Sequence, residues 1–136
     1  LSQHKEIGKT FFRLPYVLLD DDGFIRDARL TEGCFVRNDR ISAYKNATPD
    51  WGDLPLMIVP DIAVNVLPYD GSIVESDTKF DRYLENGVEV VWVIRPKQKK
   101  MIVRRRDLHL LLEIGDTLTC DEVMPGFELP LKAIFE

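Results

Sequence analysis

The chain has 136 residues, 45% of them hydrophobic and 30% charged, with a formal net charge of -5; this is enough apolar material for one domain over residues 1–136, and too little chain for two. No run approaches the roughly 18 to 20 uninterrupted apolar residues of a membrane helix, and "LSQHKEIGK" has neither the basic start nor the apolar centre of a secretory signal, so the expectation is a cytoplasmic protein with no membrane contact. The acidic balance argues against a general nucleic-acid coat protein while leaving room for a local basic face.

In chain order, apolar alternation predicts a first strand from Thr10 to Leu19, an acidic turn "DDDG", and a partner strand in "RLTEGCFVR" at 29–37. Cys34 and Cys120 stand alone without a CxxC, which points to buried free thiols rather than a zinc site. "NATPDWGDLP" has the Pro, Gly and Asp content of an irregular loop and delivers the chain into a strand at 61–67. From Gly71 to Asn86 the alternation gives way to helical spacing, with Ile73, Phe80 and Leu84 on one face. Asp70 or Ser72 suits the cap, Glu75 completes a capping box with Ser72, and Gly87 suits the left-handed residue past the end.

"VEVVWVI" at 88–94 is nearly all apolar, as expected of a central strand covered on both faces. Strand, helix and strand make a crossover, which sets 61–67 and 88–94 parallel and adjacent. "KMIVRR" and "LHLLLEI" predict a hairpin around Arg106 and Asp107, and "DTLTCDEVMPGFELPLKAIF" predicts short closing strands. The fold class is α/β, a mixed central sheet with a crossover helix packed on it.

Three features bear on chemistry. Strand alternation puts Asp61, Ala63, Asn65 and Leu67 on one face and Ile62, Val64 and Val66 on the other. A mid-strand asparagine is either a hydrogen-bonded structural amide or the lining of a wet cleft beside Asp61, with Lys79 reaching in from the helix. "RPKQKKMIVRRR" holds seven of the 18 basic residues and no acid; Lys97, Lys99, Lys100, Arg104, Arg105 and Arg106 suit a phosphate backbone, although such a run is more often solvated surface. Of the remaining residues, His109 is expected on a sheet surface, Trp92 in the core, and Tyr16, Tyr44 and Tyr69 in packing rather than base stacking. Asp20, Asp21 and Asp22 lack calcium-site spacing and fit a solvated turn.

"LPLMIVPDIAVNVLPYD", then "TKFDRYLENGV", "VVWVI" and "GDTLT...MPGFELPLKAIF" resemble the Uma-two family of the PD-(D/E)XK nuclease superfamily over essentially the whole chain. The resemblance implies a restriction-endonuclease-like αβββαβ-type core and hydrolysis of DNA with Mg2+ or Mn2+. The family's first metal acid falls on Glu32, with Thr31 where proline is usual and Asp39 as a rival position; the second, a glutamate, falls on Asn65; the helix lysine is Lys79, followed by Tyr83. The catalytic set implied is therefore Glu32, Asn65 and Lys79, with Glu32, Asn65 and Asp61 as candidate metal ligands. An amide in place of the glutamate leaves two outcomes open: a metal-dependent endonuclease with a weakened site, or a catalytically dead member serving as a DNA-binding or protein-interaction module, as a homodimer. The helical segment that family members carry before the first strand would precede Leu1 here.

Overall fold

The computed structural model describes residues 7–12, 15–19, 25–30, 33–50, 58–67 and 73–135. In chain order these form β1 (Gly8–Phe12), β2 (Pro15–Leu19), β3 (Ile25–Leu30), β4 (Gly33–Arg37), α1 (Asn38–Ala47), β5 (Ile62–Val66), α2 (Ile73–Glu85), β6 (Val90–Arg95), β7 (Lys100–Arg104), β8 (His109–Leu112), β9 (Thr117–Thr119), β10 (Glu128–Pro130) and α3 (Leu131–Ile134). Six strands make one sheet in the order β1-β4-β5-β6-β7-β8. Only β5 and β6 run parallel, with Asn65 beside Val93 and α2 as their crossover; the other neighbours are antiparallel.

The nearly unbroken apolar run of β6 is explained by cover on both sides. Val90 and Trp92 join Phe35, Ile62, Met101 and Val103 under the closing segment, where Leu118, Met124, Phe127 and Leu131 are buried; the Trp92 and Phe127 rings stack at 6.0 Å. Val91 and Val93 face the other way, onto Phe80, Tyr83 and Leu84 of α2. Tyr16 is buried against that second cluster, its ring 6.4 Å from that of Tyr83, so it packs as expected.

Two features depart from the sequence expectation. Apolar alternation runs on from residue 10 to 19, yet β1 pairs with β4 while β2 pairs with β3 in a separate two-stranded sheet. The predicted strand over 29–37 likewise comprises the end of β3 and all of β4. Alternation reports which face a residue takes and carries no information on which neighbour it pairs with. The second departure is α1, which the sequence did not announce because it buries no residue and so lacks an apolar stripe.

The α2 terminus follows from the sequence. Gly87 has φ +108°, its N–H donates to the Leu84 carbonyl at 3.1 Å and the Val88 N–H donates to that of Tyr83 at 3.1 Å, the paired bonds of a Schellman close. Val88 and Tyr83 are both in the core beneath it. The proposed caps Asp70 and Ser72 lie outside the described residues. Gly87→Ala is expected to cost about 1–3 kcal/mol, since a side chain is strained at this φ, and equilibrium urea unfolding measures it.

Candidate active site

Asn65 is 1% exposed, and among the described residues neither its Oδ1 nor its Nδ2 has a hydrogen-bond partner. Its place on β5 is set by alternation: Ile62 and Val64 pack toward Trp92, whereas Ala63 packs toward Phe80 and Tyr83, and Asn65 shares the face of Ala63. The amide therefore lies on the α2 side, near the carboxyl ends of the parallel pair, the end of such strands at which ligand crevices form. A buried amide without partners costs on the order of 1–3 kcal/mol. Nothing among the described residues makes it a satisfied structural amide.

Lys79 comes from α2 on that same side, half-buried, its Nζ 5.8 Å from the centroid of the Tyr83 ring. Among the described residues no carboxylate pairs with it. The Tyr83 ring, itself fully buried, offers its negative face to the ammonium, which explains the tyrosine one turn after the lysine. Asn65 and Lys79 thus share one side of the sheet. Glu32 lies outside the described residues; Gly33, the next residue, is paired with Val64, the residue before Asn65.

Asp61 does not join them. It is four positions along the chain from Asn65, about 13 Å, and both its oxygens are engaged: Oδ2 accepts the Arg37 N–H at 2.8 Å and Oδ1 pairs with Arg40 at 3.0 Å. This carboxylate, 4% exposed, fastens the start of α1 to the start of β5, since Arg37 is the N-cap residue and has no side-chain cap of its own. In this structure Asp61 is engaged with α1 and does not face Asn65. Asp39, the rival acid, sits exposed in the first turn of α1 with Oδ2 3.3 Å from Arg37.

The basic run is also divided. Arg104 is 4% exposed, donates to Asp81 Oδ1 at 2.6 Å and lies over the Phe80 ring, so it binds α2 to the sheet and is withdrawn from any phosphate. Arg105 pairs with Glu122 at 2.7 Å and Lys100 with Glu113 at 3.4 Å. Lys97, Lys99 and Arg106 are exposed, but the first two occupy the β6–β7 turn and Arg106 the β7–β8 turn, separated by the length of β7, roughly 17 Å. Because Val66 is beside Ile94, the turn carrying Lys97 and Lys99 is at the Asn65 end of the sheet. A hollow of about 480 Å³ lined by Gly87, Glu89, Arg106 and Glu122 is at the opposite end, and its mixed charges have no connection with Asn65.

Both cysteines are buried and neither is in a disulfide. Burial, with the nearby Glu122 charge adding to it, pushes the Cys120 pKa up to about 12, which leaves it protonated and unreactive. Among the described residues no three His, Cys, Asp or Glu side chains converge as a cation site, and no helix is long and apolar enough to cross a membrane. Among the described residues the donor set at the Asn65 end is one neutral oxygen; it suits a hard cation only if a charged ligand joins it.

No curated protein matches the chain in sequence. In structure it is similar to a putative nuclease belonging to DUF820 from Anabaena variabilis, with a TM-score of 0.73 over 98% of this chain and 70% of that one at 17% identity, a likeness in fold. The family model Uma2, described as "Putative restriction endonuclease", matches residues 12–132, and with nearly the whole chain inside that match, the mixed sheet, the crossover helix and the Asn65–Lys79 side belong to a member of the Uma2 family.

Proposed function

We propose that this chain is a nuclease of the restriction-endonuclease type whose divalent-metal site is weakened at one position. The observation that carries this is the orphaned amide of Asn65, buried on the side of the sheet that also carries Lys79. The family gives the position as a metal-ligating glutamate; here the oxygen is retained and its charge is lost. Glu32 supplies the remaining carboxylate in this reading, since its chain neighbour Gly33 is paired with the chain neighbour of Asn65. Mg2+ or Mn2+, when bound, would polarise a scissile phosphate. Asn65 Oδ1 contributes a neutral ligand, and Lys79 holds an attacking water or balances developing negative charge. Tyr83 keeps the ammonium directed along the α2 side.

DNA is the substrate class this reading implies, and the exposed cations at the correct end are Lys97 and Lys99. Supercoiled plasmid with Mn2+ is expected to be nicked slowly by the wild-type protein and not by Lys79→Ala; equal rates for the two would remove the reading. Lys97→Ala with Lys99→Ala is expected to flatten the salt dependence of DNA binding by about two phosphate contacts' worth, whereas Arg104→Ala leaves the slope unchanged and lowers stability.

A second reading has its own observation. The amide in place of a carboxylate favours a catalytically inert member retained as a DNA-binding or protein-interaction module. Calorimetric titration with Mn2+ separates the two, because an inert site gives no binding isotherm that Lys79→Ala or Asn65→Leu alters.

A further inference from the structure

β8 is the last strand of the six-stranded sheet, and among the described residues no strand pairs with its outer edge. Of the five exposed large hydrophobic residues described, four fall in or beside it: Leu108 at 52%, Leu110 at 43%, Leu111 at 52% and Ile114 at 39%. Soluble proteins ordinarily protect a free edge with lysine, proline or a bulge; this edge has leucines on both faces. An apolar cluster on an unpaired edge is a surface built for strand addition.

The sequence of the strand identifies the occupant. Read about Leu111, "LHLLLEI" is complementary to itself when reversed: Leu110 mirrors Leu112, His109 mirrors Glu113, and Leu108 mirrors Ile114. We propose that β8 pairs antiparallel with β8 of a second copy of this chain about a two-fold axis through Leu111, joining two six-stranded sheets edge to edge. In that register Leu111 meets its own counterpart, and on the same face each His109 imidazole is set across from Glu113 of the other copy. Leu108 meets Ile114 on the opposite face. The Glu113 N–H donates to Asp116 Oδ2 at 2.8 Å and its carbonyl accepts the Asp116 N–H at 2.9 Å, so main-chain pairing is confined to the centre at Leu111 and Glu113 contributes its side chain alone; Oε1 is toward Lys100 of its own chain at 3.4 Å, which leaves Oε2 to accept an imidazole N–H. Neighbouring registers are worse. An axis through Leu110 sets Asp107 against Glu113, a like-charge pair, and an axis through Leu112 sets Leu111 against Glu113. A two-fold interface must present the same patch from both copies, and this strand satisfies that with opposite charges across the axis.

The inference does not depend on nuclease activity, since β8 is three strands from β5. A pairing of two short strands is a small interface, so association in about the micromolar range is expected. Sedimentation equilibrium over a wide concentration range tests it on the full chain. The wild-type protein is expected to show a monomer–dimer equilibrium. Leu111→Lys, which brings two like charges together at the axis, is expected to be monomeric, and so is His109→Glu, which sets acid against acid. The double variant His109→Glu with Glu113→His reverses the pair and should restore the dimer. These residues are exposed in the monomer, so circular dichroism and melting should match the wild type in each variant. A wild-type protein monomeric at every concentration overturns the proposal and leaves the edge to another partner. Dimers that persist in Leu111→Lys overturn it as well, and failure of the charge-swapped pair to reassociate overturns the register.

Discussion

Asn65→Glu is expected to lower stability without metal by about 1–3 kcal/mol, because a carboxylate is then buried where no donor among the described residues meets it. Added Mn2+ should reverse the loss. A cation bound only by the folded state contributes about 2.7 kcal/mol at a hundred times its dissociation constant, which for a domain of this size is a rise of about 10 °C in melting temperature. Plasmid nicking should increase in parallel, since the substitution returns both charge and a hard oxygen to the site. Asn65→Leu is the companion variant. It replaces two amide atoms that are unpartnered among the described residues by two methyl groups on the same branched skeleton, so it should stabilise the protein by about 1–2 kcal/mol and abolish any response to metal. A destabilised Asn65→Leu would mean that the amide has a partner, and the site reading would lose its support.

The second large effect belongs to Asp61. Asp61→Ala leaves the Arg37 N–H and the Arg40 guanidinium without their acceptor, and breaking a buried pair from one side costs about 3–5 kcal/mol. Arg40 is 30% exposed and can turn to water, so about 2–4 kcal/mol is expected, read as a shift in the urea midpoint. Amides of α1 should exchange faster in the variant, because this helix buries no residue and depends on that carboxylate. Metal affinity, measured where both proteins are folded, should be unchanged. Loss of metal binding with stability intact would return Asp61 to the ligand set.

The parts of the fold visible in the sequence are those whose signal is local. The β5–α2–β6 crossover, Gly87 and the β7–β8 hairpin each carry their own period or turn residue, and each is found where expected. What escaped is held by partners far away in the chain. α1 has no apolar stripe and is fixed by an aspartate 24 residues downstream. Arg104 looks like one more solvated cation in a basic run until Asp81 and Phe80 of α2 close over it. At the site, Asn65 and Lys79 were legible as one side of the sheet because strand alternation and a helical face both report direction. The engagement of Asp61 with α1 was not legible, since sharing a face with Asn65 says nothing of the roughly 13 Å between the two along the strand. The self-complementarity of "LHLLLEI" was present in the letters all along, but it acquires meaning only once β8 is known to be an edge.

The central claim is that Asn65 occupies a vacated metal-ligand position facing Lys79. Anomalous diffraction from crystals of the Asn65→Glu variant grown with Mn2+ tests it most directly. The account predicts one manganese peak on the α2 side of β5, coordinated by the introduced carboxylate and by Glu32, with the Lys79 ammonium turned toward the same space. A site with no peak and the introduced carboxylate paired to a protein donor, or manganese bound instead at Asp61, would contradict it.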